Sequence, residues 1–156
     1  MSAVDIGKLF DARGYLQPAV AEWMGTALGL DASTVRHTRF VKARTLRYHA
    51  RTFYRTVWYL DPAAEGNATH GYSWRNWLNL LAHELYHRQE IGNNWLTAAR
   101  FGASYGYHWV KNGVTGKHPY RDNPHEVRAF AMGCDVDSLV NRALAENPDI
   151  LRRLEG

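Results

Sequence analysis

Two histidines and one glutamate form the pattern with the clearest chemistry in this chain. His83, Glu84 and His87 belong to the stretch His-Glu-Leu-Tyr-His. On a helix, a separation of four residues places both imidazoles on one face, where they can share a tetrahedral metal ion. Glu84 is turned by about 100° around that helix, so its carboxylate is free to act as a general base toward water activated by the metal. The pattern predicts a zinc-dependent hydrolase that binds one Zn²⁺ per chain.

A catalytic zinc site needs a third protein ligand and a fourth position left open for water. Glu90 shares the histidine face, but three ligands along one short helix rarely close around one ion. Glu90 is therefore assigned to orienting a histidine. His108, in an aromatic helix, and His118, in a glycine-rich loop, are further candidates. The sequence favours a fourth candidate, Glu126, over these three.

Glu126 is favoured because the start of its helix is well defined. Asn123 can cap that helix and Pro124 fits its first turn, so the position of a nearby side chain is held rigidly. Ala129 and Gly133 share the face of Glu126, and small residues there let this helix approach the histidine helix closely. The alternative interpretation of Glu126 is an acid that compensates the dipole at a helix N-terminus.

Local signals delimit the helix that carries the histidines. Ser73 is its predicted N-cap, and Gly92 follows its last residue, Ile91. The face opposite the histidines is apolar, so the helix can bury that face in the core and present the histidine pair elsewhere. The apolar residues are Trp74, Trp77, Leu78, Leu81 and Leu85.

The chain has the size and composition of one globular domain, spanning residues 1–156. It contains 156 residues, of which 46% are hydrophobic and 22% charged. The predicted elements are a helix over 18–28, a strand over 52–60, a loop over 61–72, the motif helix over 73–91, a helix over 95–111, a loop over 112–123 and a helix over 124–146. A helix, then a strand, then a helical half predicts an α+β fold.

Charge, cysteine content and hydropathy narrow the function further. The net charge of +4 is spread over the chain without a compact basic run, which favours a solvated basic surface. The single cysteine, Cys134, excludes an intramolecular disulfide and a cysteine-based zinc site. No signal-peptide pattern and no apolar run of about 18 residues occurs, so we expect a cytoplasmic protein without a membrane partner.

Three stretches give the chain a family resemblance. They are Val57-Trp58-Tyr59-Leu60, Leu80-Leu81-Ala82-His83-Glu84-Leu85-Tyr86-His87 and Asn123-Pro124-His125-Glu126-Val127-Arg128-Ala129. With these stretches the chain resembles the gluzincin group of zincin metallopeptidases. More narrowly, it resembles the compact bacterial metallopeptidase domains of the DUF4157 type. The resemblance covers about residues 50–135, and the last stretch makes it specific.

The resemblance implies a zincin-like fold, in which a small twisted sheet packs on the active-site helix, and a protein or peptide substrate. It implies that Glu126 is the third metal ligand. It also implies that the strand Thr56–Leu60 borders the cleft and binds an extended substrate by strand addition. A Tyr or His donor near the metal is needed to stabilise the transition state. The candidates for this donor are Tyr120, His118 and His125.

Two positions depart from the family pattern. The family has Gln where Glu90 stands, whereas here the Gln is shifted to Gln89, so an additional acid lies near the metal. The larger gluzincins also place an Asp four residues after the ligand Glu, where it holds a histidine. Phe130 occupies that position here, so the histidine has to be held by another group.

Two other functions stay open on the sequence alone. A non-catalytic zinc-stabilised module, such as a scaffold or toxin-associated domain, would use the same ligands without hydrolysis. A basic protein that binds nucleic acid is the other alternative, and it rests on the net charge and on one arginine-containing segment. The arginines are Arg36, Arg39, Arg44, Arg47, Arg51 and Arg55.

Overall fold

A computed structural model of the chain describes residues 9–44, 50–60 and 74–146, without the side chains at 74–76, 134–140 and 142–144. The predicted N-cap Ser73 and the predicted loop over 61–72 lie outside the described residues. Over the described ranges the chain forms five helices and a three-stranded sheet, which confirms the α+β class. None of these helices is long and apolar enough to cross a membrane. The elements are α1 (Pro18–Leu28), α2 (Ala32–Arg36), β1 (Arg39–Ala43), β2 (Ala50–Phe53), β3 (Thr56–Leu60), α3 (Trp74–Ile91), α4 (Trp95–Val114) and α5 (Pro124–Glu146).

Helix boundaries follow the local signals in the sequence. Gly29 and Gly92 end α1 and α3 at φ angles of 63° and 75°, a left-handed conformation that glycine adopts without a steric penalty. Asn123 caps α5, since its side-chain oxygen accepts the N–H two residues later at 3.1 Å. The loop predicted to start at Asn112 is wrong at its beginning. Asn112 is buried and helical, and α4 continues to Val114.

The sheet has the strand order β1–β3–β2. β3 pairs in parallel with β1 and antiparallel with β2, so it is the central strand. The prediction of one strand over 52–60 is wrong, because a turn at Tyr54 and Arg55 divides this segment into β2 and β3. Tyr54 has a φ of 51° in that turn. A tyrosine in the left-handed region is uncommon, so the sequence carries no ordinary turn signal there.

Helix α3 is buried against the sheet on one side. Trp77, Leu78, Leu81 and Leu85 are buried as predicted, whereas the Trp74 side chain lies outside the described part of the chain. The ring of Trp77 packs edge-on against Tyr59 of β3, with 6.0 Å between ring centroids. The apolar face of α3 therefore fixes the helix on the sheet, and the face with the histidines is left for the site.

Helix α5 packs closely against α3. Ala129 is fully buried, and a Cβ added at Gly133 would lie only 3.4 Å from the carbonyl oxygen of Asn79 on α3. Small residues at these two positions thus allow the close approach that the sequence predicts. The contact brings the first turn of α5, which carries Glu126, beside the histidines of α3.

Candidate metal centre

Helices α3 and α5 bring the three predicted metal ligands together. His83, His87 and Glu126 are all buried residues, at 7%, 7% and 3% exposure. His83 Nε2 is 3.2 Å from His87 Nε2 and 3.2 Å from Glu126 Oε2. His87 Nε2 is 3.4 Å from Glu126 Oε1. Within the described residues, these three form the group of side chains able to hold a metal ion, and we call them the metal group.

The spacing of these donor atoms fits a zinc ion. Bonds of about 2.0–2.1 Å in tetrahedral geometry separate neighbouring ligand atoms by roughly 3.3 Å. The two histidine nitrogens, 3.2 Å apart, agree with that value, and each has a Glu126 oxygen at a similar distance: Oε2 is 3.2 Å from His83 and Oε1 is 3.4 Å from His87. Glu126 Oε2 is also buried without a hydrogen-bond partner among the described groups, which is costly for a carboxylate unless a cation lies beside it. Two imidazoles and one carboxylate leave a fourth position for a reacting molecule.

Tyr105 of α4 holds the carboxylate of Glu126. Its hydroxyl donates a hydrogen bond of 2.6 Å to Glu126 Oε1. Burial acts to raise the pKa of Glu126, but the contacts with His83 and His87 and the bond from Tyr105 outweigh it and keep that pKa well below its ordinary value. The carboxylate is therefore ionised, which metal binding requires.

Glu90 lies behind His87, on the side away from the metal group. Glu90 Oε2 is 3.5 Å from His87 Nδ1. Burial acts to lower the pKa of His87, yet the carboxylates of Glu126 and Glu90 raise it to about 9. Glu90 Oε1 in turn accepts hydrogen bonds from His125 Nδ1 at 2.9 Å and from Arg128 at 3.0 Å. Glu90 is thus fixed by two donors and can fix the ring of His87.

Glu84 lines the same cavity as the metal group and is 5% exposed. The hydroxyl of Thr52 on β2 donates a hydrogen bond of 2.5 Å to Glu84 Oε2. Burial raises the pKa of Glu84, while the Thr52 bond and the nearby His83 and His87 act in the opposite direction. A carboxylate with a raised pKa is a stronger base, and this one is held in position by a neighbouring strand.

The histidine ring of His83 is positioned by apolar packing. The ring of Phe130 lies against it, with 4.8 Å between centroids. Phe130 stands where the larger gluzincins place an Asp, so an aromatic contact here replaces the carboxylate contact expected from the resemblance. His87 differs in this respect, because a carboxylate, that of Glu90, lies beside its Nδ1.

The metal group opens into a cavity of about 420 Å³. The cavity is bounded by β2 on one side and by α4 on the other, with α3 between them. Apart from the metal group, Glu84, Arg51 and Thr52, its walls are apolar or aromatic. These wall residues are Ala50, Ile91, Phe101, Gly102, Tyr105, Gly106, Trp109 and Tyr120. The cavity is therefore suited to an organic substrate with large apolar groups.

The predicted donors for the transition state are not equally close to the cavity. Tyr120 lines it. His118 does not, since it is exposed and its Nδ1 accepts the backbone N–H groups of Tyr120 and Arg121 in the turn before α5. Its ring therefore stabilises that turn. Tyr105, which the sequence does not single out, lines the cavity and donates a hydrogen bond to the predicted ligand Glu126.

His125 and His108 lie behind the metal group. His125 is buried, and its two ring nitrogens lie 2.9 Å from Glu90 Oε1 and 2.9 Å from the Ser104 hydroxyl. It is therefore part of the support for Glu90 and does not line the cavity. His108 packs against His125, with 6.1 Å between ring centroids, and is not part of the metal group.

Strand β3, the predicted substrate strand, has neighbours on both sides. Residues Thr56–Leu60 pair with β1, and the first four of them also pair with β2. Strand addition needs an unpaired edge, so the prediction that Thr56–Leu60 binds substrate in this way is wrong. Among the described strands, β1 and β2 are the edges of the sheet, and Ala50, Arg51 and Thr52 of β2 line the cavity.

Comparison with models of protein families, with curated proteins and with solved structures finds no match for this chain. The resemblance to gluzincins therefore stays a prediction from three motifs. The function has to be argued from the geometry of the site.

Proposed function

We propose that this chain is a zinc-dependent peptidase of the gluzincin type with a zincin-like fold. One observation carries the proposal. Two imidazole nitrogens of α3 lie 3.2 Å apart, and the carboxylate of Glu126 on α5 places one oxygen 3.2 Å from the first and the other oxygen 3.4 Å from the second, a donor set that suits a tetrahedral zinc ion. The buried carboxylate of Glu84 lines the same cavity. A purely structural zinc site needs neither a cavity nor a base beside it.

Different residues of the chain have different roles in the proposed reaction. A bound zinc ion would supply Lewis acidity, which makes water acidic enough to attack a carbonyl near neutral pH. Glu84 Oε2 is engaged by Thr52, so Oε1 is the atom that accepts the proton of the attacking water. The same carboxylate then returns the proton to the leaving amine. Tyr105 and Tyr120 line the cavity. Because the Tyr105 hydroxyl donates to Glu126, Tyr120 is the residue that we assign to the developing oxyanion.

The edge of β2 favours an extended peptide as the substrate. Ala50, Arg51 and Thr52 line the cavity opposite α4, and the described strands leave the outer side of β2 unpaired. A peptide that pairs with this edge would lie across the metal group, with its backbone held by hydrogen bonds. Main-chain pairing accepts many sequences, so selectivity has to come from the side-chain walls of the cavity.

A chelator experiment on a peptide library tests the proposal. The zinc-loaded protein is incubated with the library and the products are identified by mass spectrometry. We expect cleavage that stops when zinc is removed with a chelator and returns when zinc is added. Zinc-loaded, folded protein that cleaves nothing in the library would instead favour the non-catalytic zinc module.

Replacing Thr52 by valine should lower the rate of cleavage without changing zinc content. The variant removes the hydroxyl that fixes Glu84 but keeps a β-branched side chain in β2. A hydrogen bond to a charged group contributes about 1.5–3 kcal/mol, so kcat should fall at least about tenfold. Steady-state kinetics and metal analysis of Thr52→Val measure this. An unchanged kcat would mean that Glu84 does not need Thr52 for its orientation.

Filling the apolar wall of the cavity should exclude large substrates. Gly106 of α4 lines the cavity, and a Cβ added there meets nothing within 4 Å. Gly106→Leu should therefore reduce cleavage of peptides with large apolar side chains more than of peptides with small ones. The helix itself should be stabilised by about 1 kcal/mol, because glycine is a poor helix former. Competition kinetics on matched peptide pairs measure the preference.

Gly113→Leu is the matched control for this variant. Gly113 is exposed on the same helix and does not line the cavity. A Cβ there makes only an ordinary contact, 3.7 Å from Pro119. The control should keep the wild-type peptide preference. If Gly106→Leu also kept it, α4 would not form the wall that selects the substrate.

A further inference from the structure

A second cavity differs in chemistry from the one beside the metal group, because basic side chains line it. It has a volume of about 480 Å³. We name it the basic cavity, and its lining residues are Arg13, Tyr15, Arg36, His37, Arg39, Arg55 and Thr56. Four arginines and a histidine thus line the cavity, and none of its described lining residues carries a carboxylate. Arg36, Arg39 and Arg55 are among the six arginines that the sequence analysis names for nucleic-acid binding. Arg13 and His37 are not among those six, and the fold places them in the same cavity.

Hydrogen bonds between the chain segments build this cavity. The N–H of Arg39 donates to the carbonyl of Arg55 at 3.0 Å, and Arg39 Nε donates to the carbonyl of Arg13 at 3.2 Å. The bond through Nε sets the plane of the Arg39 guanidinium, and its two terminal nitrogens make no hydrogen bond within the described part of the chain. Thr38 is fully buried, and its hydroxyl donates to the carbonyl of Thr34 at 2.6 Å. The Thr38 bond anchors the chain between α2 and β1. The arginines of the cavity therefore lie on segments that are linked to one another by hydrogen bonds.

The positive charges of this cavity are poorly compensated within the described part of the chain. Arg13 lies 3.5 Å from Asp11 and is 83% exposed, so this ion pair is weak. No described acid forms an ion pair with Arg36, Arg39 or Arg55. Asp31, near Arg36, instead caps α2 by accepting the N–H of Thr34.

Like charges that line one cavity repel one another unless an anion lies between them. We infer that the basic cavity binds a phosphate group. A planar guanidinium binds two phosphate oxygens through two parallel N–H donors. Arginines that are not paired with carboxylates keep these donors for such an anion. Thr56 and Tyr15 also line the cavity, and each carries a hydroxyl group of the kind that can donate to phosphate. The phosphate belongs either to a small phosphorylated ligand or to a nucleic-acid backbone. This site is independent of peptide hydrolysis.

A charge-matched pair of variants tests the inference. Arg36→Gln/Arg55→Gln removes two charges from the cavity, at side chains that make no ion pair with a described residue. Arg100→Gln/Arg121→Gln removes two exposed charges that line neither the basic cavity nor the metal cavity. Both variants have the same net charge, so a diffuse electrostatic effect would be equal in the two.

Pyrophosphate and a short single-stranded oligonucleotide are the two probes, measured at low salt by calorimetry and by fluorescence anisotropy. We expect the cavity variant to bind at least about tenfold more weakly than wild type, and the control to change by less than about twofold. Loss of pyrophosphate binding identifies a small phosphorylated ligand. Binding of the oligonucleotide alone, with steep salt dependence and loss in the cavity variant, identifies a nucleic-acid backbone.

Two results would overturn the phosphate site. Wild type that binds neither probe at low salt would leave the cavity a solvated basic surface. Equal weakening in the two variants would assign the binding to net charge alone. Thermal unfolding separates a loss of binding from a loss of fold, since relief of repulsion should leave the cavity variant at least as stable as wild type.

Discussion

Glu84→Gln is expected to lower peptide hydrolysis by about 10²- to 10⁴-fold while leaving zinc bound. The amide has nearly the same size as the carboxylate and can still contact Thr52, but it cannot accept the proton of the attacking water. Glu84 is offset from the face on which His83 and His87 meet Glu126, so the metal group keeps its donors. Kinetics with a cleaved library peptide, together with metal analysis of the same preparation, measure both effects.

A matched control for this variant is available on the same helix. Gln89→Glu changes a nearby amide to an acid at an exposed position and leaves the donors of the metal group intact. It should keep most of the activity and all of the zinc. If Glu84→Gln lost its zinc, Glu84 would be a ligand and its assignment as the base would be wrong. If the variant kept full activity, another group would have to accept the proton.

Glu126→Ala is expected to weaken zinc binding by at least about 100-fold. Zinc binding to a structural site contributes about 10–16 kcal/mol, so the loss of one ligand among three removes several kcal/mol. The variant also leaves His83 and His87, two nitrogens 3.2 Å apart, without the charge that balances the cation. Competition with a chromophoric chelator measures the dissociation constant, and activity should fall with zinc occupancy.

Two variants separate the loss of a ligand from the loss of an acid. Glu22→Ala removes an exposed acid on α1 and should leave zinc affinity unchanged. Glu90→Gln removes the carboxylate behind His87 and should weaken zinc binding by about 10- to 100-fold, as contacts that support a ligand do. Zinc affinity of Glu126→Ala equal to that of wild type would show that the third ligand lies elsewhere.

Features set by neighbouring residues could be predicted from the sequence. The ends of α1 and α3 follow from Gly29 and Gly92, and the start of α5 follows from Asn123 and Pro124. These signals act over a few residues, so they require no knowledge of the fold. The same holds for the apolar face of α3, which a helical period alone defines.

The contacts at the site that join distant segments could not be predicted. Thr52 reaches Glu84 across 32 positions, and Tyr105 reaches Glu126 across 21. Both depend on how β2 and α4 pack around α3, which no local pattern specifies. The spacing of Phe101 and Tyr105, one turn apart on a helix, was the available signal for an aromatic wall.

The arrangement of strands in the sheet could not be predicted from local sequence patterns either. The segment 52–60 is rich in β-branched and aromatic residues, so it predicts extended chain. Its division into two antiparallel strands rests on Tyr54, which adopts a left-handed conformation without being glycine or asparagine. Without a turn signal at Tyr54 the sequence predicts one strand, so it assigns substrate binding to what is the central strand and does not identify the edge strand β2.

The most direct test of the metal centre is a crystal structure of the zinc-loaded protein with an anomalous difference map at the zinc absorption edge. We expect one peak per chain, about 2.0–2.2 Å from His83 Nε2, His87 Nε2 and one carboxylate oxygen of Glu126. We also expect the fourth side of the ion to face the cavity lined by Glu84. A map without a peak among these three side chains, or with Glu126 turned away from both histidines, would show that the metal centre is wrongly assigned.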